Sequence, residues 1–299
     1  MVKKAAHDRR MARLQEAKDS LEKRRALYSR LFSHLAEDAA LEEEERPRIP
    51  IKKLHIKVMN EWDTIRQIIQ GKSISRYGDG ELKHMAGKRN VSQIFFESLQ
   101  ERLTEVFHSR LPNHIVAIPN VWNGRQFTEV PEDYIKSMRR KFYKISDRNH
   151  LYGSSYITRG DLCGYLSWPS YWVLISEIWR DRDVTLVRGH EKRANIDMMK
   201  SARSIYQIAV PSTHAWKNYD KIMVDCLLRP KTDLFLLCVG PTATVLAYDL
   251  ASVGRQGVDL GHLGLFYRRC WGIEDMADRQ VWNHRPSDPG YVKGVTDRC

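Results

Sequence analysis

Long apolar runs are missing from this sequence. No stretch of roughly eighteen apolar residues occurs, so no membrane-spanning helix is predicted. Cysteine is scarce. The five (Cys163, Cys226, Cys238, Cys270 and Cys299) are odd in number and form no CxxC pair or other metal-ligand spacing. That pattern fits reduced thiols in the cytoplasm rather than a disulfide framework. The basic start, Met1-Val2-Lys3-Lys4, is followed by no apolar segment, so a secretory signal is not expected. No GxGxxG opens the first strand–helix unit, which argues against a dinucleotide oxidoreductase. No GxSxG elbow or Ser-His-Asp order supports serine hydrolysis. Internal repeats are lacking too, and low complexity is confined to the charged N-terminal region.

What remains is a 299-residue chain with 42% apolar residues and eight tryptophans, enough to bury one large core or two modest ones. Its net charge of +12 points to an anionic partner: nucleic acid, an anionic membrane face or a phosphorylated small molecule. The basic residues are spread along the chain rather than gathered in one stripe, which favours the small anionic substrate.

Residues 1–45 contain no Gly or Pro and are rich in Ala, Leu, Glu, Lys and Arg, so a helix is predicted. Leu14, Leu21, Leu27, Leu31 and Leu35 form a partial apolar stripe that suits packing on the main domain or on a second copy of the chain. A solvated helical tail is the plain alternative. Pro47 and Pro50 mark a boundary, dividing a charged extension (1–50) from a main domain (51–299).

Past the prolines, helices are predicted over 56–70, 92–109, 131–144, 170–180, 214–228 and 242–253. Strands are predicted over 73–77, 115–118, 151–158, 184–187, 205–210, 234–239 and 258–262, with a loop over 120–130. The polar tail after Arg279, rich in Pro and Gly, reads as a lid or surface strap. Continuous apolar strands alternating with helices predict an α/β fold. Its sheet is mainly parallel, with helices on both faces.

In such sheets ligands bind at the C-terminal ends of the strands. Four proposed strands end in turns of a suitable kind, namely Gly78-Asp79, Arg188-Gly189, Gly240-Pro241-Thr242 and Asp259-Leu260-Gly261-His262. Asp79 and Glu81 stand two apart and, on extended or turn backbone, point to one side. With Arg76 beside them they offer hard oxygens to a divalent ion and a cation to a phosphate. Gly78 and Gly80 permit positive φ and close approach, although Gly-Asp-Gly is also ordinary turn chemistry. Gly240, Pro241 and Thr242 open a helix whose free N–H groups make an anion seat, or merely a capped end. His262 and Asp259 are candidates for metal ligation or acid–base work, and structural hydrogen bonding is the alternative. Arg159 and Arg188 end other predicted strands and are weaker candidates for phosphate binding.

The segment Ser75-Arg76-Tyr77-Gly78-Asp79-Gly80-Glu81 resembles the R-[FY]-G-D-G-E signature of GT-D type glycosyltransferases. Tyr152-Gly153-Ser154-Ser155 with Thr158-Arg159, Leu186-Val187-Arg188-Gly189, the stretches 239–250 and 256–262, and Pro289-Gly290-Tyr291-Val292 are similar to further blocks of that family in the same order. The resemblance spans roughly 52–295. It implies a Rossmann-like domain that moves a sugar from a nucleotide diphosphate donor, a UDP-sugar, to a saccharide, glycoprotein or other glycan acceptor. It also implies Mn²⁺ or Mg²⁺ held through Asp79 and Glu81, with 259–262 as a wall of the donor site. Arg76, Tyr77, Gly78, Arg159, Arg188, Gly240, Pro241 and Thr242 would line the donor site. Tyr77 stands where phenylalanine is common, and residues 1–50 lie outside the resemblance, as a possible homo-oligomer contact. The competing readings are a metal-dependent phosphohydrolase or nucleotidyl-transferring enzyme using the same carboxylates, and a basic nucleic-acid-binding protein without catalysis.

Overall fold

The computed structural model describes residues 55–90, 92–122, 132–159, 168–189, 194 and 196–270. The predicted helix over 1–45, most of the 120–130 loop and the strap after Arg279 lie outside them.

Seven parallel strands form one sheet: β1 (Ser73–Arg76), β2 (His114–Ile118), β3 (Gly153–Ser154), β4 (Asp183–Arg188), β5 (Ser204–Ala209), β6 (Leu234–Cys238) and β7 (Gln256–Asp259). Their order is β3-β2-β1-β7-β6-β4-β5. Ile74 sits opposite Ile115 on one side and Val258 on the other. Leu236 sits opposite Leu186 and Val258. The expected Rossmann-like sheet is present and wholly parallel between these strands.

The side-chain period of two sorts each strand between two covered faces. Ile115 and Ala117 of β2, Leu186 of β4, Leu236 of β6 and Val258 of β7 share one core with Ile65 and Ile68 of helix α1 (Glu61–Ile69) and with Trp179. On the opposite face, Val116 and Ile118 join Tyr77, Leu99 and Phe107. Phe235 and Leu237 pack there against Ala243, Leu246, Ala247 and Leu250. Those four belong to a helix over Pro241–Ser252. Each such fully buried Leu or Phe contributes about 1.5–3 kcal/mol, which is why these strands read so clearly from their apolar runs.

The remaining helices are α2 (Asp79–Met85), α3 (Glu97–Phe107), α4 (Glu132–Ile145), α5 (Trp168–Ser176), α6 (Tyr219–Leu227), α7 (Pro241–Ser252, just described) and α8 (Leu263–Cys270). No helix among the described residues is long and apolar enough to cross a membrane.

Several elements depart from expectation. The predicted strand over 151–158 shrinks to Gly153–Ser154, after which Ser155–Thr158 winds into a 3-10 turn, with Ser154 Oγ accepting from Tyr156 N at 3.2 Å. The helix expected over 56–70 starts only at Glu61, because Val58 forms a bridge to Tyr152 and Asn60 caps the helix through Asp63 N at 2.8 Å. Ala215–Asn218 turn as a 3-10 segment before α6, after His214 adopts a left-handed φ of 58°. The last strand ends at Asp259 rather than at His262, since Gly261 takes a φ of +53°.

Candidate active site

The parallel sheet brings the ends of β1, β7 and β6 to one edge, in adjacent positions. Arg76, the last residue of β1, is 12% exposed at its side chain and is held from two sides. Its Nη1 donates to Ser155 O at 3.0 Å and to Thr158 Oγ1, and its Nη2 lies 3.5 Å from Asp259 Oδ1. Arg76 Nε has no partner among the described residues.

Asp259, the last residue of β7, is buried and has both oxygens engaged. Oδ1 accepts from Gly261 N at 3.0 Å. Oδ2 accepts from Arg76 N at 3.2 Å and from Thr244 Oγ1 at 3.3 Å. Burial pushes its carboxyl up, against the pull of the Arg76 guanidinium. Gly261 is required at its position: a Cβ there would stand 1.9 Å from Arg76 Nη2.

The helix α7 starts at Gly240, whose φ of 65° and ψ of −148° turn the chain out of β6. Pro241 occupies the first turn, where its missing N–H costs nothing. Thr242 is fully buried, and its Oγ1 has no partner among the described residues. A buried hydroxyl normally finds one, so this orphan at a helix N-terminus marks a seat for an acceptor-rich group. Thr244, one half-turn on, ties α7 to β1 through Arg76 O at 3.2 Å.

The two carboxylates of the signature are arranged differently from expectation. Asp79 opens α2 instead of standing in an extended turn. On a helix, residues two apart diverge by about 200°. Asp79 faces outward, where Lys83 Nζ lies 2.5 Å and Lys141 Nζ 3.8 Å from its oxygens. Glu81 folds back, its Oε2 accepting from Gly78 N at 2.9 Å. Burial and the nearby Asp259 push the Glu81 carboxyl up to about 7. Gly78 and Gly80 are not among the glycines with positive φ. Their value is space: a Cβ on Gly78 would meet Glu81 Oε2 at 3.5 Å, and one on Gly80 would meet Asn90 Nδ2 at 3.1 Å.

Other expected site residues divide. Arg159 follows the 3-10 turn, and its guanidinium sits 4.4 Å from the centre of the Phe266 ring of α8. His262 is exposed in the turn between β7 and α8. Tyr77 is corrected: it is fully buried, donates to Leu103 O at 2.6 Å, meets Phe107 edge-on, and so faces the core rather than the edge. Arg188 ends β4, beside the end of β6 that leads into Gly240. Its guanidinium is engaged with Ala194 O and, at 2.6 Å, Gln207 Oε1. Among the described residues no group of three or more His, Cys, Asp or Glu converges as a ready-made metal cage.

Sequence reasoning passed over two residues at this edge. Asn120 is buried just after β2, and its Oδ1 has no partner among the described residues. A polar residue directly after a buried strand was the available signal. Tyr134, on the first turn of α4, feels both signature carboxylates. Burial pushes its phenol up, Asp79 and Glu81 add to that, and Arg159 opposes it. No sequence pattern linked 134 to 79.

The sequence matches the family model described as the glycosyltransferase GT-D fold over residues 74–271. A probable glycosyl transferase, Gly, of Streptococcus gordonii is 28% identical over 214 residues, covering 66% of this chain and 30% of that protein. The glycosyltransferase GlyD of Streptococcus pneumoniae serotype 4 is 27% identical over 228 residues, covering 73% of this chain and 28% of that protein. The match thus spans less than a third of the length of these curated relatives. A solved domain of unknown function 1792, described as having a distinct glycosyltransferase fold, superimposes with a TM-score of 0.67 at 29% identity, over 74% of this chain and 84% of its own. A glycosyltransferase from Streptococcus sanguinis does so with a TM-score of 0.66 at 26% identity, over 80% and 90%.

Proposed function

The chain belongs to the glycosyltransferase GT-D fold family, and from that premise we propose that it transfers a sugar from a nucleoside diphosphate donor, a UDP-sugar, to a glycan acceptor. Residues 51–299 carry this activity, and residues 1–50 are an extension through which copies associate. The observation that carries the reading is the unpartnered, buried Thr242 Oγ1 at the start of α7, on the sheet edge where Arg76 Nε also lacks a partner among the described residues. Donors at a helix start beside a buried guanidinium suit a diphosphate.

Asp79 and Glu81 are the residues that would hold a divalent cation, Mn²⁺ or Mg²⁺, once both side chains turned toward it from their present partners. Asp79 and Glu81 supply hard oxygens, while two lysines crowd Asp79 and a neighbouring carboxylate burdens Glu81. Two carboxylates would leave the rest of such an ion's positions to other oxygens. His262 remains a candidate. A metal held there would supply charge neutralisation to the diphosphate leaving group. Arg76 and the α7 N–H groups orient that diphosphate and stabilise the same charge. Asp259 positions Arg76. Its oxygens are too fully engaged to take an acceptor proton, which leaves His262 as the exposed candidate base. Buried reduced thiols at Cys226 and Cys238 suit a reducing cytoplasm.

The test is release of nucleoside diphosphate from UDP-sugars with Mn²⁺, with and without glycan acceptors. Release is expected to need an acceptor, whereas a phosphohydrolase would need only water. Asp79→Ala and Glu81→Ala are expected to lower turnover at least about a hundredfold while keeping the wild-type circular dichroism spectrum. Wild-type turnover in both variants would remove the assignment.

A further inference from the structure

The groups assigned to the diphosphate stand on one flank of the site: Arg76 ends β1, Asp259 ends β7, and Thr242 opens α7 after β6. On the other flank β1 pairs with β2, and the chain leaving β2 goes on to α4.

The helix α4 is fixed by its buried face. Met138 and Phe142 are buried, Phe142 stacks on Phe107 with ring centres 6.4 Å apart, and Arg139 Nε donates to Val121 O. Beside that face, Lys141 reaches out until its Nζ lies 3.8 Å from Asp79 Oδ1. Tyr134 comes seven residues earlier on the same helix. That is two turns back, about 10 Å along the axis and about 20° round it, so Tyr134 shares the stripe that meets Asp79. Its phenol accordingly feels Asp79 and Glu81 from one side and Arg159 from the other.

Tyr134 is 39% exposed. Its ring makes no ring contact and its hydroxyl no hydrogen bond among the described residues. An aromatic ring left open on a fixed helix suits a partner with an apolar face and polar edges. The C–H face of a pyranose is such a partner. A nucleobase is another, but bases are enclosed in slots with matching polar edges, whereas Tyr134 offers one open face beside the carboxylates. The same flank holds an unused acceptor. Asn120 lies three residues past Ala117, the register partner of Arg76. It is buried, and its Oδ1 has no partner among the described residues. Buried polar atoms are normally paired, so this flank lacks a donor.

Resting on the sugar-transfer reading, we propose that the β2–α4 flank is the acceptor subsite and that Tyr134 is its platform. The C–H face of the acceptor sugar stacks on the Tyr134 ring, which holds the ring hydroxyls beside Asp79 and Glu81.

The experiment is saturation-transfer NMR of the full chain with methyl β-glucoside, methyl β-galactoside and methyl N-acetyl-β-glucosaminide, alongside calorimetric titration with UDP and Mn²⁺. Saturation is expected to pass to the ring C–H protons of at least one glycoside. Tyr134→Ala is expected to weaken that glycoside at least about fivefold and to leave UDP affinity within about twofold. Tyr134→Phe and Tyr134→Trp keep a stacking face and are expected to bind it as the parent chain does. Unchanged glycoside affinity in Tyr134→Ala, or no transfer to any glycoside from the parent chain, would overturn the proposal. A roughly tenfold loss of UDP affinity in Tyr134→Ala would overturn it too, by making the ring a base platform. Glycoside binding through Tyr134 without any UDP binding would uphold the platform and remove the donor reading instead.

Discussion

Arg76 and Asp259 form the pivot at the scale of single residues. The pair is nearly dry, and Asp259 lies within reach of four donors, one of them the Thr244 hydroxyl that also reaches Arg76 O. Breaking a buried pair by neutralising one partner leaves the other charge uncompensated, at about 3–5 kcal/mol. Asp259→Asn is therefore expected to lower urea stability by about 3 kcal/mol and to weaken nucleoside diphosphate binding. Unchanged values in both would show that Arg76 needs no such anchor. His114 gives a pH signature. Its folded pKa lies below the ordinary histidine value, so the unfolded chain binds the extra proton first. Stability is fully present above about 6.5 and falls as pH drops toward about 3. The loss should be on the order of 3–5 kcal/mol, and equilibrium unfolding of His114→Gln should show a flatter acid limb. An unchanged slope in the variant would contradict the buried neutral ring. Arg76, Asp79 and Glu81 were legible because charged residues after an apolar run are conspicuous. Tyr77 turns to the core because residues 76 and 77 point to opposite faces of the strand, and only Arg76 faces Asp259.

At the scale of elements, the contact between α7 and β7 sets the site. A Cβ on Gly257 would lie 2.9 Å from Ala247 Cα, so helix and strand touch backbone to backbone. Gly257→Ala is expected to push α7 outward, with a cost of about 1–3 kcal/mol and a melting temperature lower by roughly 2–10 °C. Because α7 carries Thr242 and Thr244, turnover should fall more than stability alone explains. A variant with normal turnover and melting would mean the helix has slack. The short helix α2 was not legible as a helix because Gly-Asp-Gly mimics turn chemistry. Glu81, three residues past the Gly78 cap, was the overlooked sign, since a glutamate there reaches back to the cap N–H. The 151–158 segment misled in the other direction. Its aromatic and β-branched residues suit a strand, yet Ser154 turns the chain, and Gly153 is needed because a Cβ would meet Ile115 Cγ2 at 2.5 Å.

Across the whole molecule, the parallel α/β class was legible from apolar runs alone, but the strand order was not. β7, last in sequence, inserts between β1 and β6, and no local pattern encodes that neighbour choice. The insertion is what brings Asp259 to Arg76, so the site depends on the long-range part of the fold. If residues 51–299 carry the activity, deleting 1–50 should leave nucleotide-sugar binding intact and shift size-exclusion elution toward the monomer. Lost binding would place part of the donor site in the extension. The most direct measurement is manganese anomalous scattering from crystals grown with UDP and Mn²⁺. The expected result is one manganese peak next to Asp79 and Glu81, with the diphosphate on the start of α7 beside Arg76. A diphosphate bound there without metal, or manganese bound away from both carboxylates, would contradict it.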